Sequence, residues 1–207
     1  WGNALYGANS SSADLSSGVV DVAAAKLAFA ALKSDGSVVA WGESYSGGST
    51  DGFALGVPTR RSVKRIESAQ QAFAGLKSDG SVVTWGYSGN GGNSSGVSDA
   101  LSSGVRRVDN TNMAFAVIKT DGSVVTWGQG DAGSPSGMST LLSSGVTDIS
   151  GGDYAFAALK GDGSVVTWGS ESWGGDSSSV ETELSAGVTS VSHSRNAFAA
   201  VKSDGSV

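Results

Sequence analysis

One phrase recurs down the chain and limits what it can become. It reads AFAALKSDGSVVAWG at 28–42, AFAGLKSDGSVVTWG at 72–86, AFAVIKTDGSVVTWG at 114–128 and AFAALKGDGSVVTWG at 155–169. A fifth copy, AFAAVKSDGSV, runs to Val207, and the chain starts with the Trp1-Gly2 that ends the other copies. The recurrent tryptophans, Trp1, Trp41, Trp85, Trp127 and Trp168, are 40, 44, 42 and 41 residues apart. A period near 40 means stacked supersecondary units, each unable to bury its apolar side alone.

Each unit reads as β-structure. Phe-Ala-Ala-Leu-Lys and Ser-Val-Val-Thr-Trp are short apolar runs rich in β-branched and aromatic residues. Asp-Gly stands between them at 35–36, 79–80, 121–122, 162–163 and 204–205. Glycine takes positive φ without strain, so the dipeptide predicts a tight hairpin. An upstream strand is marked by Gly-Val-x-x-Val at 18–22, 104–108, 145–149 (ending in Ile149) and 187–191, with Ser62-Val63-Lys64-Arg65-Ile66 as the divergent copy. The Gly/Ser-rich loop after each Trp-Gly has room for a short fourth strand. No stretch carries a helical period.

Repeated antiparallel sheets of this size predict an all-β fold, a five-bladed β-propeller of about 41-residue repeats. One domain over 1–207 is expected, with units 1–40, 41–84, 85–126, 127–167 and 168–207. Pairing of the N- and C-terminal segments would close the ring, Trp1-Gly2 completing the strand begun by Ser206-Val207. That seam lacks the Val-Thr pair found in three of the other copies. Phe29, Phe73, Phe115, Phe156 and Phe198 are expected in the core with the recurrent Trp and Val residues.

The pattern A-L-x-x-D-G-x-V-x-x-W-G, preceded by G-V-x-x-V, resembles the repeat of the regulator of chromosome condensation family, in the short form of its bacterial members. The resemblance spans essentially the whole chain and implies a β-propeller. The family's Gly-Gln-Leu-Gly segment after Trp-Gly is replaced here by Gly/Ser loops. Its His before the A-L-x-x-D-G strand is also absent. Nucleotide exchange and chromatin binding therefore do not carry over, and function must be read from sites.

Positions that differ between copies are free to serve a ligand. The five-residue connections at 23–27, 67–71, 109–113, 150–154 and 192–196 differ most. Their aligned residues Lys26, Gln70, Asn112, Asp153 and Arg195 are all polar and all different. With Tyr154 they are candidate ligand-binding residues, since loops on a rigid scaffold carry most binding sites; unselected drift of loop tips is the competing reading. In the loops after Trp-Gly, the aromatics Tyr6, Tyr45 and Trp173 sit among Gly, Ser and Asn, a composition able to stack on sugars, or simply to cover sheet edges. Lys64, Arg65, Arg106 and Arg107 form a candidate basic patch, or a charged strand that blocks edge pairing.

Chemistry beyond binding finds little support. The chain has no cysteine and a single histidine, His193, placed by the pattern in a loop. Thiolate and His/Cys metal sites are thereby excluded, and no serine has a Ser-His-Asp context. Glu67 and Asp109 occupy equivalent places in neighbouring units, with Asp153 in the next, and are the carboxylates to weigh for glycosidase chemistry. No cofactor is expected. No apolar run approaches a membrane span, and the formal net charge of −6 argues against nucleic acid. The reading is a non-catalytic binding module, its ligand a glycan or a protein. The alternative is a structural fragment of a larger array. A monomer is expected, in a secreted or cell-surface bacterial protein.

Overall fold

A computed structural model describes residues 9–11, 13–49 and 62–207. They form five successive antiparallel sheets. The first holds β1 (Val19–Ala24), β2 (Ala28–Lys33) and β3 (Val38–Gly42). The second holds β4 (Val63–Ser68), β5 (Ala72–Lys77) and β6 (Val82–Gly86). The third is β7 (Val105–Asn110), β8 (Ala114–Lys119) and β9 (Val124–Gly128), and the fourth is β10 (Val146–Gly151), β11 (Ala155–Lys160) and β12 (Val165–Gly169). The fifth has two strands, β13 (Val188–His193) and β14 (Phe198–Lys202). The fold is all-β with five propeller-type blades, as the repeat predicts. The proposed closure falls on Trp1-Gly2, outside the described residues. Two compact units divide the chain between Val105 and Arg106.

The loop after Trp-Gly departs from expectation. Among the described residues it forms no fourth strand but single 3-10 turns, such as Ser44–Ser46 and Glu171–Trp173, and one short helix, α1 (Gly130–Gly133). Glycines in the left-handed region end several of these turns, Gly47 and Gly174 among them, where a side chain would be strained.

The Asp-Gly hairpin is a three-residue loop rather than a two-residue one. In the first sheet Lys33 N–H donates to the Ser37 carbonyl at 2.9 Å, and Gly36 N–H closes back on Lys33 O at 2.9 Å. Gly36 alone of the loop has positive φ, +77°, the three-residue pattern with glycine at the left-handed position. Asp35 instead accepts from the Ser37 amide and hydroxyl, at 2.9 and 2.6 Å. The same pair of bonds recurs at Asp79, Asp121, Asp162 and Asp204.

The first strand of each blade is tied to the hairpin of the blade before it. In the first unit Val63 N–H donates to Gly36 O at 3.0 Å, and Val105 N–H to Gly80 O at 2.8 Å. In the second unit Val146 N–H donates to Gly122 O at 3.0 Å, and Val188 N–H to Gly163 O at 2.9 Å. The residue just before these valines has positive φ: Gly18, Gly104, Gly145 and Gly187 in four sheets, and Ser62 (+90°) in the divergent one. Positive φ costs a non-glycine residue roughly 1–2 kcal/mol, against which glycine loses extra chain entropy. Ser62→Gly should therefore raise stability by about 0.5–1 kcal/mol, read as a higher urea midpoint at unchanged slope. A lower midpoint would show that the hydroxyl matters more than the backbone.

Packing follows the repeat. Phe and Trp face each other across the second hairpin, with ring centroids 5.4 Å apart for Phe29–Trp41, 5.2 Å for Phe73–Trp85, 5.4 Å for Phe115–Trp127 and 5.1 Å for Phe156–Trp168. In the first unit, Ala28, Ala30 and Leu32 of β2 pack on Val63 and Ile66 of β4. In the second, Ala114, Ala116 and Ile118 of β8 pack on Val146 and Ile149 of β10. Small side chains on the inner strand let the next sheet approach closely. Of the expected core phenylalanines, Phe73, Phe115 and Phe156 are fully buried, whereas Phe29 and Phe198 are partly exposed. Phe198 lacks a facing Trp strand among the described residues.

Candidate functional site

The divergent connections are shorter than the sequence pattern implies. Their first two residues still belong to the strand, as Asp109 and Asn110 do in β7 and Ser192 and His193 in β13. His193 is thus the last residue of a strand, not a loop residue. The turn is tight: Thr111 N–H donates to Ala114 O at 2.8 Å, Gly152 N–H to Ala155 O at 2.9 Å and Ser194 N–H to Ala197 O at 2.9 Å. The candidates Asn112, Asp153, Tyr154 and Arg195 occupy the corners of these turns, and Lys26 and Gln70 occupy the same corners in the first unit.

Corners of neighbouring blades are strapped together by backbone. Asn112 N–H donates to Asp153 O, and Asp153 N–H to Arg195 O, both at 2.9 Å. In the first unit Lys26 N–H donates to Gln70 O at 2.8 Å. Gly151 makes the approach possible in the second unit, because a Cβ there would lie 2.1 Å from the Asn110 carbonyl oxygen. Backbone pairing holds each corner through main-chain atoms, so the residue type can vary without loss of the strap.

The three corners of the second unit border a polar hollow of about 420 Å³, lined by Asn110, Thr111, Asn112, Gly151, Gly152, Asp153, His193, Ser194 and Arg195. Arg195 Nε lies 3.2 Å from Asp153 Oδ2. The guanidinium is 80% exposed, so the pair contributes little to stability, under about 1 kcal/mol. Thr111 is buried, and its hydroxyl accepts from Ala114 N–H at 3.1 Å, fixing the wall. The hollow offers amide, carboxylate, guanidinium and imidazole groups within one rigid frame.

The two divergent zones also join within a blade. Tyr154 O accepts from Ser170 N–H at 3.0 Å, which lays the loop after Trp168-Gly169 beside the corner. The Tyr154 and Trp173 rings meet edge-to-face with centroids 4.7 Å apart. In the first unit Tyr45 pairs with Tyr87 at 4.5 Å, and the neighbouring hydroxyl holds the Tyr45 pKa above its ordinary value. Tyr87 escaped the sequence reading because it directly follows Trp85-Gly86, where the other copies carry Asn, Glu, Gln or Ser. Tyr6 lies outside the described residues.

Two of the four basic candidates, Arg106 and Arg107, bridge neighbouring strands. Arg106 Nη2 donates to the carbonyls of Val146 and Thr147, each at 2.9 Å. Arg107 donates to Ile149 O and Asp109 Oδ2, each at 3.0 Å, and pairs with Asp148. Both arginines of β7 thus clamp β10. In β4, Arg65 pairs with Glu67 two positions on, along one face of the strand. Lys64 is exposed at the β-bulge between Val63 and Arg65. The carboxylates weighed for hydrolysis are thereby engaged, Glu67 by Arg65, Asp109 by Arg107 and Asp153 by Arg195.

Burial raises the Asp109 carboxyl above its ordinary value, against the lowering effect of the Arg107 hydrogen bond and charge. A raised folded-state value means that this group favours the fold most below the unfolded value near 3.8. The contribution fades as pH rises through the folded value. Asp109→Asn should therefore be best tolerated at neutral pH and most costly relative to the parent near pH 3. Urea midpoints of both proteins across that range measure it. A variant whose relative cost grows with pH would reverse the assignment.

Among the described residues no helix is long and apolar enough to cross a membrane. No family model matches the chain, and no curated protein does. Solved structures do. The chain is similar to human WBSCR16, with 20% identity over 75% of this chain and 48% of that one (TM-score 0.49). It is similar to yeast RCC1 (Prp20), in a structure bound to Kap60, with 17% identity over 73% and 42% (TM-score 0.49). It is also similar to the computationally designed Ika8 protein, with 15% identity over 90% and 56% (TM-score 0.44). The chain spans about half the length of each of these three structures.

Proposed function

We propose that the chain is a non-catalytic binding module whose second unit holds a hydroxyl-rich ligand, a glycan, at the strapped corners. The observation that carries this reading is the hollow framed by Asn110, Asp153, His193 and Arg195, whose backbone is fixed and whose side chains differ from blade to blade. Sugars present vicinal hydroxyls, which carboxylate, amide and guanidinium groups bind in pairs, and C–H faces, which stack on aromatic rings. Tyr154, which follows Asp153 in the chain, and its ring partner Trp173 are the aromatic candidates of the same blade. A small number of placed polar groups on a rigid frame is the usual composition of a specific site. A glycan ligand also fits a secreted or cell-surface setting.

A glycan array probed with the intact chain tests this. Binding should be restricted to a few related structures. Asp153→Ala and Arg195→Ala should each weaken it about tenfold or more, the effect of one lost charged hydrogen bond. Lys64→Ala, distant in sequence and on an exposed bulge, should leave it unchanged. An array with no signal, or one whose signal survives both corner substitutions, would sink the proposal.

A further inference from the structure

The same blade-to-blade joint is built three times within the two units. Each joint has three parts: a hairpin glycine carbonyl takes the N–H of the next blade's first valine, a corner N–H donates to the next corner's carbonyl, and two apolar residues of the next blade's first strand cover the inner strand's small side chains. Val63 and Ile66 are each 6% exposed in this role, Val146 1% and Ile149 2%. On the receiving side Ala30, Ala116 and Ala157 are fully buried.

Both halves of this joint recur, open, on separate blades. On β1 the equivalents of Val63 and Ile66 are Val19 and Val22, which are 37% and 48% exposed. On β14 and the residue before it, the equivalents of Ala155, Ala157 and Leu159 are Ala197, Ala199 and Val201, all exposed. A Cβ on Gly122 or Gly163 would lie 2.8 or 2.7 Å from the next strand's backbone, whereas one on Gly205 would meet nothing within 4 Å. Val19 and Val22 present what Ala197, Ala199, Val201 and the Gly205 carbonyl lack, and the two faces continue an interface already used within the chain.

We infer that the β14 face receives a second copy of this chain, docked through the β1 face of that copy. The joint would be head-to-tail, so each copy offers one face and accepts on the other. Such contacts close into small rings or extend, according to the rotation between copies. The recognition is chemically specific: β1 brings Val19 and Val22, the Val19 N–H matches Gly205 O as Val63 N–H matches Gly36 O, and the Lys26 carbonyl matches Arg195 N–H. This departs from the monomer expected of the sequence, because the two exposed faces repeat the two sides of a joint that is buried elsewhere in the chain.

Analytical ultracentrifugation of the intact chain over a wide concentration range tests it. The mass should rise from 20.5 kDa for one chain to that of two or more. Val22→Asp and Ala199→Glu should each weaken association about tenfold or more by burying an unpaired charge. Each variant keeps one face intact, so mixing the two should restore a two-chain species. That recovery also shows that both variants are folded. A mass of one chain at every concentration, association that survives both substitutions, or a mixture that stays at one chain would each overturn the inference.

Discussion

Phe156→Ala should lower the unfolding free energy by about 3–5 kcal/mol, the cost of deleting a buried aromatic side chain and leaving part of its cavity. Phe156 is fully buried, its ring lies 5.1 Å from that of Trp168, and it belongs to the same core as Ile149, Val166 and Leu142. Total stability for a domain of this size is about 5–15 kcal/mol, so one substitution removes a large share of it. Urea unfolding followed by tryptophan fluorescence measures the loss. Phe198→Ala is the internal control. Phe198 has the same neighbours in sequence but no facing Trp strand among the described residues, and is only partly buried, so its truncation should cost markedly less. Equal costs, or a loss below about 1 kcal/mol at Phe156, would contradict the packing described.

Gly169→Ala should be nearly as damaging, on the order of 2–4 kcal/mol, through backbone strain together with overpacking. Gly169 closes β12 at φ +114°, and a Cβ there would stand 2.5 Å from the Tyr154 carbonyl oxygen and 2.6 Å from Ala155 Cα. Both obstacles are backbone, so neither can swing aside. The Tyr154 carbonyl also accepts the Ser170 N–H, so the shift that relieves the clash would loosen the corner next to Asp153. The variant should therefore lose glycan binding by a larger factor than its residual folded fraction explains. The same change at Gly130, where an added Cβ meets nothing within 4 Å, bears only the positive-φ cost and should be milder. If Gly130→Ala proved the worse of the two, the close approach at Gly169 would not be the cause.

Much of this was legible from residues alone. The Phe-Ala-x-x-Lys and Val-Val-Thr-Trp-Gly runs name two strands, and Gly-Val-x-x-Val names the third. Their boundaries were readable because β-branched residues, the hairpin glycine and the terminal Trp-Gly recur at one spacing. The corners Lys26, Gln70, Asn112, Asp153 and Arg195 stood out because scaffold positions repeat and these do not. Other features were hidden for physical reasons. The hairpin's third loop residue depends on where Lys33 and Ser37 pair, a matter of register rather than composition. The Tyr154–Trp173 and Tyr45–Tyr87 pairs join residues from different loops, so no local pattern announces them.

The repeat by itself determined the all-β architecture, the five units and the glycines that the backbone demands. Those properties follow from side-chain alternation and allowed φ/ψ, which act over a few residues. Tertiary structure decided how the charges are spent and which repeated residues stay uncovered. Arg106 and Arg107 read as a basic patch until carbonyls and carboxylates of β10 appear beside them, 40 residues away in sequence. Val22 and Ile66 read alike until one is seen 48% exposed and the other 6%. Burial is a property of the neighbour as much as of the residue, and a repeated sequence assigns the same word to blades whose neighbours differ.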